Sequence, residues 1–597
     1  MQMANNGLRT SDGSLSFEGG IDSGRTPTIA SESYPNGLKR NQLAWATNAT
    51  MRGGGCRQRT GWKPLVQGAN WSGLYQGGYL YEPGLELPYL VLDIGGRTYQ
   101  VRVDTDNTVL DITAGSGANP PTEPKHWFVQ GEQFLVIQDG VSEPLVWDGT
   151  TLARISAVGN AVKKLPTGTA MDYYMGRIWV ASQGRAYLAG DIVGSPGAPS
   201  SGTAPYQFTD SILNITENGF LTGGGVFIVP TNAGNIRAIS HTANLDSALG
   251  EGQLLVFTRK SIYSVNVVPD RTQWAALSEP LQRVAQINFG TTSDRSVVPV
   301  NGDLLMQSSP NGDIRSFIMG LRYFQQWGNL PISRNMNRVL QFNDRELLRY
   351  GSGIEFDNRV WQTVLPFETA VGVAHKGVMA LDFDLISSFE EKLPPAWEGM
   401  YEGLDFLQLF SGDFGGLQRA FAVVLSRETG QIEVWEMTTQ DRFDSQVGVD
   451  GNRVTWYIES PAYTWGNPFA LKQLETLELW IDKVLGTVEF EAYYKPDSWP
   501  CWIPWHAWDE CAAKSCAEDE EAVVCYPSGI PEQFCESFVA TRSLAKPPVV
   551  CIKSSQRPST QAYQFQIRLI IKGWCRIRGM LLHGTPVMSK PFDNIVC

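Results

Sequence analysis

Histidine, paired cysteine motifs and positive charge are what this chain of 597 residues has least of. Its five histidines, His126, His241, His375, His506 and His583, each stand alone among apolar or aromatic neighbours and read as packed or surface side chains. The patterns GxxxxGK(S/T), HExxH and GxSxG do not occur, so phosphate-loop, zincin and α/β-hydrolase chemistries have no anchor here. The formal net charge of −13 argues against a general nucleic-acid binder, which needs basic stripes to neutralise phosphates. An acidic wall would let DNA pass without adhering, but on charge alone solubility is the better reading. No run approaches the ~18 uninterrupted apolar residues of a membrane-spanning helix. Residues 1–12 are polar and lack the apolar centre of a secretory signal.

What is present points to β structure rich in turns: 60 glycines, 19 tryptophans and 20 tyrosines beside only 18% charged residues. An apolar strand, a short polar or glycine turn and a second strand ending near an aromatic recur along the chain. Examples are Tyr89–Tyr99, Phe134–Trp147, Ile178–Tyr187, Leu254–Tyr263, Asp303–Ile314 and Phe421–Trp435. The first three turns, near 95, 140 and 184, are 45 and 44 residues apart. A period of about 40–50 residues with one hairpin per unit is the signature of propeller blades, whereas sandwiches are strings of hairpins without it. The longer later steps predict insertions near 194–225 and 320–420, or blades hidden there. Residues 331–350 carry the best helical pattern, with Ser333 as N-cap and Gly351 as stop, and the imperfect spacing of Met336, Val339, Leu340, Leu347 and Leu348 fits one helix or two short ones.

After about Phe443 the pattern changes. Leu471–Trp480, Thr487–Tyr494 and Ala562–Ile570 alternate apolar and polar residues, as sheets with one buried face do. Eight of the nine cysteines lie in this region. Cys501, Cys511, Cys516, Cys525 and Cys535 are spaced unlike paired zinc ligands. Disulfides stapling an irregular loop, or free buried thiols, rank ahead of zinc. Trp499, Trp502, Trp505 and Trp508 read as core rather than as a sugar-stacking platform. The fold class is thus mainly β. A docking arm (1–64) precedes a propeller-like body (65–442), and a Cys- and Trp-rich, sandwich-like module follows (443–597).

Asp382 with Asp384, and Glu355 with Asp357, are the best acid pairs for glycan hydrolysis, which needs two carboxylates about 5–10 Å apart. Alternating acids on a solvated strand face are the commoner arrangement, so the sequence reads as a non-enzyme with no cofactor and no metal.

The region from Phe17 to Pro64 runs Phe17-Glu18-Gly19-Gly20, then Tyr34-Pro35-Asn36-Gly37-Leu38 with Asn41-Gln42, then Asn48 with Arg52-Gly53-Gly54-Gly55, then Arg59-Thr60-Gly61-Trp62. Leu38, Gln42, Trp45 and Ala49 share one helical face, predicting about three helical turns between 38 and 49. This order of motifs resembles the N-terminus of phage short-tail nozzle and tail tubular proteins, over roughly a tenth of the chain. The resemblance implies a structural virion protein of the tail, assembled in the host cytoplasm. It implies a ring, hexameric in that family, that continues the DNA channel between an adaptor and the tail fibres or distal tail parts. DNA would pass through without specific binding. A receptor- or glycan-binding tail-tip propeller is the alternative, and a glycan hydrolase ranks third. The arm's candidate contact residues are Gly19, Gly20, Asn41, Gln42, Arg52, Gly53, Gly54, Arg59 and Gly61. Deleting everything before Pro64 is expected to leave a soluble body that cannot join particles.

Overall fold

The computed structural model describes residues 9–587, except for single positions and the stretches 114–116, 159–162, 194–208, 217–225, 244–251, 268–280, 283–288, 323–330, 370–371, 386–394, 440–442, 445–451, 512–538 and 553–556. Its body is a β-propeller. Six antiparallel sheets of three or four strands stand apart, and a seventh blade is the end of a fourteen-stranded sheet. The innermost strands, in order, are Tyr75–Tyr81, Trp127–Gly131, Met171–Tyr174, Ile236–His241, Val298–Val300, Gly353–Phe356 and Asp405–Asp413. Residues from all seven line one central cavity of about 470 Å³.

Packing between neighbours sets this order. Separate apolar cores join blades one and two, two and three, three and four, four and five, six and seven, and seven back to one. Strands inside a blade are therefore covered on both faces. That is why Phe134–Gln138 and Leu254–Thr258 are buried throughout and read as unbroken apolar runs. The recurring sequence unit is the second-to-third-strand hairpin of a blade. Its tight turns need positive φ at both central residues, which Gly95 and Gly96 (58° and 82°) and Gln183 and Gly184 (51° and 76°) adopt.

The ring closes through the N-terminal side of the chain. Trp62–Val66 pairs with Ile432–Met437, register Trp62↔Met437, and completes blade seven. Just before it, Trp45–Thr47 lies between two strands: parallel to Ala396–Glu402 of blade six, and antiparallel to Thr455–Glu459. Blade six therefore continues through this strand, part of a strap formed by residues 17–61, into the C-terminal sheet. That sheet is built on Lys472–Pro496 and Phe565–Pro586, strands of 25 and 22 residues paired along their length with register shifts between Asp482 and Glu489. Alternate residues such as Leu477, Leu479, Phe490, Ala492, Ile567, Leu569 and Ile577 share one core, to which Phe17, Ile21, Leu43 and Trp45 of the strap also belong.

Three expectations are corrected. No helix forms between 38 and 49: Leu38 bridges Ile29, and Trp45, Ala46 and Thr47 are all buried as a strand. Strand partners on both sides override a local helical spacing. Residues 331–350 form a 3-10 turn at Ile332–Met336, one α-turn at Asn337–Leu340 and another 3-10 turn at Leu347–Tyr350 rather than one helix. The stretch 320–420 is not chiefly an insertion, since it holds all four strands of blade six and the start of blade seven. The C-terminal module is likewise joined to the propeller by the strap's continuous hydrogen bonding. Most of the 194–225 insertion lies outside the described residues.

Candidate functional site

Where the strap crosses blade six, arginines and carboxylates from four places in the chain converge. Arg359 and Asp382 face each other in register on the second and third strands of the blade, and Glu398 comes from the fourth. Asp357 sits in the turn before Arg359, with φ of 54° there and 52° at Asn358. Arg52, from the strap, reaches all three aspartates of this corner. Its Nε and Nη2 donate to the two oxygens of Asp382 at 2.6 and 3.0 Å, its Nη1 to Asp357 at 3.0 Å, and its Nη2 lies 3.1 Å from Asp384. A planar guanidinium fork suits this bidentate pairing.

Glu398 is the hub behind it. Arg359 Nε donates to Oε2 at 2.8 Å and the Tyr401 hydroxyl to the same oxygen at 2.6 Å. The Met51 amide donates to Oε1 at 3.2 Å, and the Thr50 hydroxyl also donates there. Asp382 and Glu398 are fully buried. Burial alone would raise Glu398, but the charge and hydrogen bond of Arg359, with Thr50 and Tyr401 donating, hold it down at about 2. Burial and then the Glu398 charge push Asp382 up to about 7, against the pull of Arg52 and Arg359. One carboxylate is thus kept ionised and its neighbour resists ionising.

This ion-pair network floors a cavity of about 500 Å³ whose wall includes Arg57, Arg59, Trp62, Trp361, Tyr401 and Trp574. Arg59 lies 3.5 Å over the Trp62 ring and donates to Asn48 Oδ1 at 3.0 Å and to the Thr60 carbonyl at 2.8 Å. Burial lowers Arg57, with Arg359 adding to the effect.

The structure brings the nine proposed arm residues into one strap, but only Arg52 and Arg59 of them line this cavity. Gly20 is required where it stands: its φ is +64°, and a Cβ there would meet the Trp397 carbonyl oxygen at 2.5 Å. Gly19 donates its amide to the Asn41 carbonyl, and Gln42 Oε1 accepts from the Lys39 amide. Gly53, exposed, and Gly54, half-buried, make a turn with φ of 82° and 80°. The Gly61 carbonyl accepts from the Thr438 amide and hydroxyl. These contacts lie within the chain itself.

Sequence reasoning found Asp382, Asp384 and Asp357 as strand-face acids but missed Arg359, Glu398 and Tyr401. The solvated-face reading fails for Asp382, which is buried and held by arginines, while Asp384 stays partly exposed. The histidines also differ from expectation. His126, His241, His375 and His583 sit beside Asp93, Asp172, Glu402 and Glu478 at 2.6, 2.9, 3.3 and 2.9 Å. Their partners come from other strands. Cys501 is exposed, and Cys56 and Cys575 are buried. Cys516, Cys525 and Cys535, and the side chain of Cys511, lie outside the described residues. Trp505 is buried and donates to the Ala545 carbonyl, while Trp508 stacks on Phe490 at 4.9 Å.

No protein-family model matches the chain, and no curated protein matches it. Solved structures with a similar arrangement include the β-propeller domain of Cps50 (Swd1) from Myceliophteria thermophila, at 12% identity and TM-score 0.34 over 64% of this chain and 100% of that one. YCF48 from Cyanidioschyzon merolae matches at 11% identity and TM-score 0.31, over 64% and 100%. BBS1N in complex with ARL6DN matches at 10% identity and TM-score 0.34, over 64% and 98%. The fold itself defines a β-propeller protein, an architecture compatible with a binding or structural role.

Proposed function

We propose that this chain is a structural component of a phage tail, nozzle-like, forming a closed ring around the path of DNA. The observation that carries the reading is the fourteen-stranded sheet that ties strap, blade six and C-terminal module together. Such a body transmits load without a flexible hinge between its parts. The motif order of the strap supports it as well. Ring contacts need exposed apolar surface on a rigid frame. Blades one and seven offer it side by side: Leu85 is 97% exposed and Leu417 is 64% exposed, on loops that approach each other where Leu87 nears Gly415. In this reading the neighbouring copy, the adaptor and the distal tail proteins are the partners, and DNA is cargo.

Electron microscopy of the native particle, with mass photometry of the purified full-length chain, tests the reading. Closed rings are the expected result. A single copy in the particle sinks it. The double variant Leu85→Asp/Leu417→Asp should keep its thermal melting temperature within about 2 °C, as surface substitutions do. It should also lose ring assembly. Rings that form unaltered would place the interface elsewhere.

A further inference from the structure

Beside the starts of the inner strands of blades four and six, four arginines meet. Arg237 opens the inner strand of blade four, and Arg259 sits in the turn between that blade's second and third strands. Arg345 and Arg349 come from the segment leading into blade six. With Thr292 and Glu346 they line a cleft of about 80 Å³. Among the described residues Glu346 is the one acid in that lining. Among the described residues none of the four forms an ion pair. Arg259 has one long hydrogen bond, to Ser309 Oγ at 3.4 Å, and Arg349 stacks over Tyr350 at 4.8 Å. Burial lowers Arg237, the charges of Arg259 and Arg349 lower it further, and Glu346 pulls the other way. Like charges gathered in a chain of net charge −13 repel one another and call for a counter-anion.

A second cavity of about 220 Å³ adjoins the cleft and shares Arg237, Thr292 and Arg349 with it. Its other walls include Trp127, Ile236, Tyr350 and Pro124. Arginine-lined and aromatic-lined spaces thus share a wall.

We infer that this is a binding site for a phosphate monoester, with the phosphoryl group among the four arginines and a ring-bearing organic part against Tyr350 and Trp127. The lining carries a surplus of three positive charges. A carboxylate brings one charge and two oxygens, whereas a phosphoryl dianion brings two charges and three free oxygens, each able to take a guanidinium fork. The small cleft holds one such head group rather than a run of acidic side chains. The neighbouring cavity gives an attached ring a place to stack.

Isothermal titration of the full chain, at fixed low ionic strength set with chloride, tests this with three probes: inorganic phosphate, adenosine 5′-monophosphate and a hexaglutamate peptide. The nucleotide should bind at least tenfold more tightly than phosphate. Arg237→Gln/Arg349→Gln should weaken both by tenfold or more. Tyr350→Ala should remove only the nucleotide's advantage. Unchanged thermal melting certifies that each variant is folded, and Arg237→Lys/Arg349→Lys, which keeps charge but not the forks, should recover part of the affinity. No binding of either phosphate probe at millimolar concentration would overturn the inference. Equal binding by the arginine double variant would do the same, as would binding of hexaglutamate alone.

Discussion

Removing residues 1–61 should abolish the soluble fold. The truncation takes away Phe17, Ile21, Leu38, Leu43, Trp45 and Met51, all of them buried. Six large apolar side chains at about 1.5–3 kcal/mol each are of the order of the whole net stability of an ordinary domain, roughly 5–15 kcal/mol. It also strips the strand that lies between Ala396–Glu402 and Thr455–Glu459, leaving two unpaired edges. Cutting further, to Pro64, removes Trp62 and half of the strand that closes blade seven. Circular dichroism and solubility after expression decide the matter. Aggregation or loss of the cooperative melt is expected for both truncations. A soluble, cooperatively folding product would restore the simpler reading of this region as an arm that docks elsewhere. The earlier expectation of a soluble truncated body therefore gives way, because the region pairs with two halves of its own chain.

The blades were legible where burial is two-sided. Hairpins such as Tyr89–Ile94 with Arg97–Val101 show as apolar runs broken by a glycine turn, because neighbouring blades cover both faces. Blade six escaped because its second and third strands, Arg359–Val364 and Gly377–Asp382, are separated by an insert carrying its own small hairpin, Glu368–Thr369 with Gly372–Val373. The turn signal there is absent and the period breaks. The alternation in Lys472–Pro496 was legible for the opposite reason: one face packs on a core and the other does not. What local pattern could not reveal is that Trp45–Thr47 would be the seam between them, since its partners lie at Met400 and at Tyr457–Glu459.

The site was legible in parts and illegible as a whole. Arg52 and Arg59 drew notice as guanidiniums among glycines, and Asp382 as one of an acid pair. Their meeting is a product of topology. Arg52 and Asp382 are 330 residues apart in sequence, and no periodicity spans that distance. Arg359 and Glu398 carry no local mark either. Arg359 is the one charge of the buried strand Arg359–Val364, and Glu398 lies among buried residues of Ala396–Glu402, whose second acid, Glu402, comes only at the strand's end. A lone charge in a fully buried strand is itself the usable signal, because such a group persists only with a partner.

Glu398→Gln should be the most damaging single substitution at this junction, costing about 3–5 kcal/mol near pH 7, the usual penalty for breaking a buried pair. The volume is kept, but Arg359 loses its main counter-charge and Thr50 and Tyr401 lose a charged acceptor. The pH dependence separates charge from packing. Glu398 is held at about 2, below its ordinary 4.5. Its contribution is therefore fully present above about pH 4.5 and is lost as pH falls towards 2. The gap between wild type and variant should close over that acid range. Asp382 has the opposite sign: held at about 7 against an ordinary 3.8, it keeps its proton in the folded chain where the unfolded chain has released it. Its contribution falls as pH rises from about 4 to 7, and Asp382→Asn should flatten that slope. Denaturant midpoints measured from about pH 2 to 8 read both effects. A wild-type-to-Glu398→Gln difference that stays constant across the acid range would mean that packing, not charge, holds the strap to blade six.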